Sequence, residues 1–92
     1  MEFRWNDWNL EHIAEHGIGP EEAQGVVERA SAPFPRKIDD EKELVWGPGR
    51  GGRLLQVIYV YSPGEVIYII HARPLSAVEV RQYRRTRRRR GK

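Results

Sequence analysis

Two long apolar segments separated by a four-residue turn constrain the fold of this 92-residue chain more than any other feature. Branched and aromatic residues, which favour β-strands, dominate both "RLLQVIYVY" and "VIYIIHAR". Between them, "SPGE" places Pro63 and Gly64 at the two central positions, as a type II turn requires. We therefore predict an antiparallel hairpin. Because both strands are apolar at nearly every position, we expect them to be central and covered on both faces.

The residues before the hairpin predict two helices and further strands. "EFRW" reads as a short first strand, and Asn6 or Asp7 can cap a helix that ends at Gly17, a typical C-terminal glycine. Pro20 fits the first turn of a second helix, "PEEAQGVVERA". After this helix, "APFPRKI" is a possible irregular or edge strand because it contains two prolines, and "KELVW" is a strand.

The residues after the hairpin predict a final helix. Ser76 and Glu79 of "SAVE" form a capping box, and Val80 and Tyr83 follow at helical spacing. We expect residues 76 to about 86 to form one helix docked on the sheet, with the arginines beyond Tyr83 increasingly exposed. The chain is then an α+β domain, with two N-terminal helices and one C-terminal helix packed on an antiparallel sheet of three to five strands.

Charge is distributed unevenly along the chain. Residues 1–80 contain eight Lys or Arg and thirteen Asp or Glu, a net −5, whereas residues 81–92 contain eight Lys or Arg and no acid, a net +8. We therefore divide the chain into a single domain, residues 1–83, and a basic C-terminal tail, residues 84–92. Such a tail attracts phosphate backbones or an acidic protein partner, although a block of like charges is often only a solvated terminus.

The composition excludes several classes of protein. The chain has no cysteine, which rules out disulfides, a thiol nucleophile and a cysteine zinc site. No apolar run approaches the ~20 residues that a membrane-spanning helix needs, and no signal peptide opens the chain. We therefore expect a soluble cytoplasmic protein with no membrane partner.

Two short motifs resemble ligand-binding patterns. Gly47 to Gly52 fit G-x-G-x-x-G, but dinucleotide binding needs a helix after the loop, and a strand follows here. His12 and His16 match H-x-x-E-H and lie one helical turn apart, so they could share a metal. The sequence places no obvious third ligand, and His16 can instead hydrogen-bond at the helix end. We therefore predict a hairpin loop, no metal and no cofactor.

The end of the second hairpin strand carries the strongest functional signal. His71 and Arg73 are two residues apart, so they should share one face of the strand, with Ile67 and Ile69 upstream on the same face. Histidine transfers protons near neutral pH, and arginine binds phosphate through two hydrogen bonds. Phosphodiester cleavage uses both abilities. The alternative is that both side chains only satisfy carbonyl groups at a sheet end.

Taken in order, "FRW…NLEHIAEHGIGPEEAQGVVE" and "VIYIIHARPLSAVEVRQYRR" resemble the BrnT family, the toxins of bacterial type II toxin–antitoxin systems. The most specific part is the closing block, Ala72–Arg73 with Glu79 and Tyr83. The resemblance covers nearly the whole chain. It implies a fold similar to the RelE-type ribonucleases, metal-independent cleavage of mRNA, and neutralisation by a small BrnA-like antitoxin. Two positions depart from the family pattern, since Glu15 replaces a basic residue and His71 replaces a small one.

This resemblance and the residue chemistry together suggest the site. Arg73 would hold the phosphate, and His71 and His16 are candidate proton-transfer groups. Tyr83 could orient or stack on a base, and Glu79 could be a general base, although its capping box alone accounts for it. The predicted RNA contacts are basic residues outside this group: Lys37, Arg53, Arg81, Arg84 and Arg85.

Two other functions remain open at the level of the sequence. The chain could be a non-catalytic nucleic-acid-binding module in which the arginine helix supplies the affinity. It could also be an inactive relative that binds an acidic protein partner.

Overall fold

The computed structural model describes residues 1–90, with side chains described through Arg88. These residues form three α-helices and a four-stranded antiparallel sheet, which confirms the predicted α+β class. The elements in chain order are α1 (Asp7–Ala14), α2 (Pro20–Glu28), β1 (Arg36–Lys37), β2 (Lys42–Pro48), a 3-10 turn (Arg50–Gly52), β3 (Leu54–Ser62), β4 (Val66–Pro74) and α3 (Ala77–Arg90).

The predicted hairpin is the centre of the fold. β3 and β4 pair antiparallel, and Gly64 in the turn between them has a φ of +80°, as a type II turn requires. The strand order is β1-β2-β3-β4, so the expectation that both strands are central is wrong for β4. In place of the predicted first strand, the described residues show a one-residue parallel bridge from Phe3 to Ile67.

One face of the sheet carries the hydrophobic core and packs against α1 and α2. α2 contributes Ala23, Val26 and Val27 from its apolar stripe, and α1 contributes Ile13. The sheet contributes buried residues that alternate along each strand except across Ile70 of β4: Val45, Leu55, Val57, Tyr59, Ile67, Ile69 and Ala72. The intervening residues of β3 and β4 are mostly half-buried, so the expectation that both strands are covered on both faces is wrong as well. The opposite face is thus covered less completely than the core face, which is common in antiparallel sheets.

A β-bulge in β4 changes which residues share a face. Ile58 pairs with His71, but Tyr59 pairs with Ile69, so Ile70 is an extra residue on β4. Directly paired residues project from the same face of a sheet. The two buried isoleucines before the bulge therefore belong to the core face, and the histidine and arginine after it belong to the opposite face. The expectation that all four residues share one face is wrong because of this bulge.

The predicted capping signals are present at three helix ends. Asn6 caps α1 and exchanges side-chain hydrogen bonds with Asn9. Gly17 follows α1 with a φ of +71°, a conformation that favours glycine. Ser76 and Glu79 form the capping box of α3, with hydrogen bonds of 3.2 and 2.8 Å.

The last helix is longer than predicted. α3 continues to Arg90, so it crosses the proposed boundary between residues 1–83 and the tail without a break, and residues 91–92 lie outside the described residues. Tyr83 is half-buried and stacks on Phe34 with ring centroids 6.4 Å apart, while the described arginine side chains beyond it are exposed. None of the helices in residues 1–90 has the length and hydrophobicity to cross a membrane.

Candidate functional site

All three histidines of the chain lie together where α1 meets β4. α1 lies along the free edge of β4, because the buried side chain of Asn9 donates a 3.0 Å hydrogen bond to the Ile69 carbonyl. This contact brings His12 and His16 towards His71, and each of their ring centroids is 6.4 Å from that of His71. The structure therefore joins the two predicted histidines and adds a third. We call these three residues the histidine cluster.

The surroundings of His71 favour its neutral form. Burial, the positive charge of Arg73 and the nearby imidazoles of His12 and His16 all lower the pKa of His71. The imidazole is therefore able to accept a proton over more of the neutral pH range than a free histidine. No group of three or more histidine or carboxylate side chains in residues 1–90 has the spacing needed to hold a metal ion.

Arg73 is bound to Glu79 at the start of α3. Its Nη1 and Nη2 atoms donate to the two carboxylate oxygens at 2.7 and 2.8 Å. The hydrogen bonds from Arg73 and from the Ser76 N–H lower the pKa of Glu79 to about 2. A carboxylate with so low a pKa is a weak proton acceptor. The geometry therefore fits Glu79 better as a helix cap and partner of Arg73 than as a general base.

Tyr83 lies apart from the histidine cluster, between α3 and the segment before β1. Its ring stacks on Phe34, which in turn lies 5.8 Å from the ring of Trp46. Tyr83 thus anchors α3, and stacking on an RNA base stays a prediction. The predicted contacts Arg81, Arg84 and Arg85 are exposed on α3. Arg85 helps to line a hollow of about 260 Å³ beside this aromatic group.

The two other predicted RNA contacts are engaged with carboxylates. Arg53 donates from Nε and Nη2 to the two oxygens of Glu22, at 3.1 and 2.9 Å. Lys37 Nζ lies 3.3 Å from Glu43. Their charges are therefore partly compensated, and neither residue is part of the histidine cluster.

The glycine-rich loop binds a carboxylate of the protein itself. The Arg50 N–H donates to Glu22 Oε2 at 2.8 Å, and a Cβ atom at Gly49 would overlap the same oxygen. The loop joins two antiparallel strands, as predicted. Its close approach to a buried side chain, and not to a phosphate, explains the glycine at this position.

Sequence reasoning missed a group of aromatic residues beside the histidines. Trp8 stacks on His12 with centroids 4.9 Å apart and ring planes 9° from parallel, and Tyr68 lies 6.4 Å from Trp8 at 23°. The Arg4 guanidinium lies 4.1 Å from the centre of the Tyr68 ring. The spacing of Trp8 and His12, four residues apart in a helix, was the signal available in the sequence. We call Trp8, His12 and Tyr68 the aromatic row.

The fold and the site together define a small α+β protein in which a histidine cluster lies beside a carboxylate-bound arginine. No protein family, curated protein or solved structure matches the chain. Any assignment of function therefore depends on the residues themselves and on the sequence resemblance.

Proposed function

We propose that this chain is the toxin of a bacterial type II toxin–antitoxin system, an endoribonuclease that cleaves mRNA without a metal. The observation that carries the proposal is the histidine cluster, whose member His71 lies two residues before Arg73. Metal-independent cleavage needs a base, an acid and a cation to stabilise the charged transition state. Several imidazoles and a guanidinium can supply all three, and the resemblance to BrnT toxins favours the same function.

His71 is the proposed general base, because its pKa is lowered and its imidazole is mainly neutral near pH 7. It takes the proton of an RNA 2′-hydroxyl as the 2′ oxygen forms a bond to the adjacent phosphorus. The bond from phosphorus to the 5′ oxygen then breaks, and that oxygen takes a proton from protonated His12 or His16. The products are a 2′,3′-cyclic phosphate and a 5′-hydroxyl.

Arg73 is the proposed phosphate ligand, and this role requires an exchange of partners. In the free protein, Nη1 and Nη2 of Arg73 are both bound to Glu79. Two phosphate oxygens offer the guanidinium the same paired acceptors as a carboxylate does, so RNA can replace Glu79. Until then, Glu79 holds Arg73 in position at the end of β4.

Cleavage of a defined RNA in excess EDTA tests the proposal. We expect the wild type to show a bell-shaped pH dependence and to leave a 2′,3′-cyclic phosphate. His71→Ala should lose the acidic limb of the profile and about 10²-fold or more of the rate. Tyr61→Ala, which removes an exposed aromatic residue elsewhere, is the control and should cleave normally. Full activity of His71→Ala, or cleavage that EDTA abolishes, would overturn the proposed chemistry.

Expression in bacteria tests the biological part of the proposal. We expect the chain alone to arrest growth and degrade mRNA in the cytoplasm. Co-expression of a short adjacent gene that encodes a BrnA-like antitoxin should restore growth. Normal growth with intact mRNA on expression of the chain alone would contradict the toxin assignment.

The exposed arginines of α3 favour a second candidate function, non-catalytic binding of nucleic acid. Whereas Arg53 and Arg73 are paired with carboxylates, Arg84, Arg85 and Arg88 are exposed. Binding through them should weaken steeply with salt, and each arginine contact changed to Gln should reduce the log–log salt slope by ~0.7 on single strands. Salt-sensitive binding without cleavage, unaffected by Arg73→Ala, would favour this second function.

A further inference from the structure

We propose that Trp8 is a stacking platform for an unpaired base of single-stranded RNA beside the histidine cluster. The inference rests on the proposed function, because it names a feature of the RNA that the same site would bind. Trp8 is 54% exposed even though its ring is stacked on His12. A large area of the indole is thus open to solvent next to the proposed proton-transfer groups.

The other two tryptophans of this chain have structural roles, unlike Trp8. Trp5 and Trp46 are half-buried, and their indole N–H groups donate to the side-chain oxygens of Gln24 and Gln56 at 2.6 and 3.0 Å. Both pack against the hydrophobic core. Trp8 is more exposed than these two and is not among the residues that pack on this core, so core packing does not account for an aromatic residue at position 8.

The orientation of the aromatic row suits a base. The rings of Trp8 and His12 are nearly parallel, and the ring of Tyr68 is tilted from that of Trp8 by only 23°. Proteins bind unpaired bases by stacking them on aromatic rings and on arginine guanidinium planes. Both kinds of group are present, because the Arg4 guanidinium lies over the Tyr68 ring at one end of the aromatic row.

The charges around the row suggest the path of the RNA backbone. Asp7 and Glu11 on α1, and Glu15 at its C-terminal cap, are exposed and would repel phosphates on that side of Trp8. Arg4 offers a positive charge on the side of Tyr68. The backbone should therefore pass Arg4 while a base is placed against Trp8.

A protein partner is the other class of ligand that an exposed tryptophan, tyrosine and arginine could bind. The near-parallel rings and the adjacent histidine cluster favour a base. If a protein is the ligand, Trp8 will make no difference to RNA binding, which the following experiment measures.

Binding of an eight-nucleotide, 2′-O-methyl RNA to the full chain tests the proposal, because this RNA cannot be cleaved by 2′-hydroxyl attack. We expect Trp8→Ala to weaken its binding by roughly 5- to 150-fold, the range measured for loss of one base–aromatic stack. Trp8→Phe should keep most of the affinity, since phenylalanine can still stack. Tyr61→Ala, which changes an aromatic residue of 55% exposure, is the matched control and should bind as the wild type does.

An abasic oligonucleotide of the same length and charge separates stacking from phosphate binding. We expect the wild type and Trp8→Ala to bind it equally and weakly. Quenching of tryptophan fluorescence by the base-containing RNA should occur in the wild type and be lost in Trp8→Phe. Equal binding of both oligonucleotides by the wild type, or equal affinity of Trp8→Ala and the wild type for the base-containing RNA, would overturn the proposal. If Trp8→Ala does not fold, the Trp8→Phe variant and the comparison with the abasic oligonucleotide still test whether Trp8 stacks on a base.

Cleavage of unmodified RNA, measured in parallel, distinguishes this inference from the proposed function. Trp8-dependent binding without any cleavage would leave the platform standing and refute the nuclease. Cleavage with unchanged binding in Trp8→Ala would refute the platform and leave the nuclease standing.

Discussion

Two arginine–carboxylate pairs of the same chemistry have very different surroundings in this protein. Arg53 and Glu22 are 31 positions apart and join the loop after β2 to α2, and although the Arg53 side chain is 42% exposed, the Glu22 side chain is only 5% exposed. Arg73 and Glu79 are 6 positions apart and join the end of β4 to the start of α3. Their side chains are 30% and 22% exposed.

The carboxylates make the difference, and they indicate which arginine can exchange its partner for an external anion. Glu22 also accepts from the Arg50 N–H, and Arg53 also donates to the Gly17 carbonyl, so this pair connects α2, the loop and the end of α1. Breaking it would leave a buried carboxylate without its cation, which is costly. Glu79, by contrast, accepts hydrogen bonds only from Arg73 and from its own helix start among the described residues. Arg73 can therefore exchange its partner while the core stays intact.

The largest expected effect is on the rate of RNA cleavage, and it should differ between the two arginines. Arg73→Ala should lower the rate of RNA cleavage by about 10²–10³-fold, because one preorganised contact to the transition state is lost. It should lower the free energy of unfolding by only about 1 kcal/mol, since the pair is partly exposed. Arg53→Ala is the matched control and should do the reverse, with near-normal cleavage and a loss of about 2–3 kcal/mol in stability. Cleavage assays and urea unfolding of the same preparations measure both effects.

Either of two results would remove this distinction between the pairs. Normal cleavage by Arg73→Ala would take the end of β4 out of the mechanism. Unfolding of Arg73→Ala would make its pair as structural as the other one, and the histidine and arginine would then only complete a sheet end.

Replacing glutamate by glutamine should destabilise the protein more at Glu22 than at Glu79. Glu22→Gln places an amide N–H₂ at a buried position where an oxygen accepts from Arg53 or from the Arg50 N–H, so one donor faces another there. We expect a loss of about 2–3 kcal/mol in the free energy of unfolding. In Glu79→Gln, the substituted position is itself partly exposed, so water can reach the donors that lose their acceptor. Urea unfolding curves for both variants make the measurement, and equal losses would contradict the contrast.

The sequence predicts best what depends on neighbouring residues. The turn at Pro63–Gly64, the Ser76–Glu79 capping box and the glycine after α1 all follow from local chemistry, and all are present. The bulge at Ile70 could not be predicted, because it depends on how β3 and β4 align over their whole length. Side chains alternate between the two faces of a strand. One added residue therefore places the residues after it on the opposite face from the one that the sequence predicts.

The candidate site was predictable only in part for the same reason. His71 and Arg73 stand out from an apolar strand, but the approach of His12 depends on α1 docking along the edge of β4. The partner of Arg53 is distant in sequence, so an arginine that appears free in the sequence is paired in the structure. The exposure of Trp8 likewise follows from the orientation of α1.

A smaller effect should appear in the pH dependence of stability. The folded-state pKa of Glu79 is lowered to about 2, chiefly by Arg73, and lies below its ordinary value. This carboxylate therefore stabilises the fold above about pH 4.5, and its contribution is lost as the pH falls towards 2. Glu79→Gln should cost about 0.5–1 kcal/mol near pH 7 and progressively less below about pH 4. Urea unfolding across this range measures the difference, and a difference that does not change with pH would contradict the assignment.

The smallest predicted effect concerns the exchange of partners at Arg73. If phosphate must replace Glu79, then Glu79→Gln should tighten binding of the uncleavable RNA. Removing one unit charge about 4 Å from the phosphate in water is worth about 1 kcal/mol, so the gain should be at most about fivefold. It should shrink as salt is added, because the site is partly exposed. Glu22→Gln is the control and should leave the affinity unchanged, since this buried carboxylate is paired with Arg53 and not with the proposed phosphate ligand. Weaker binding by Glu79→Gln would mean that Glu79 orients Arg73 for RNA and does not compete with it.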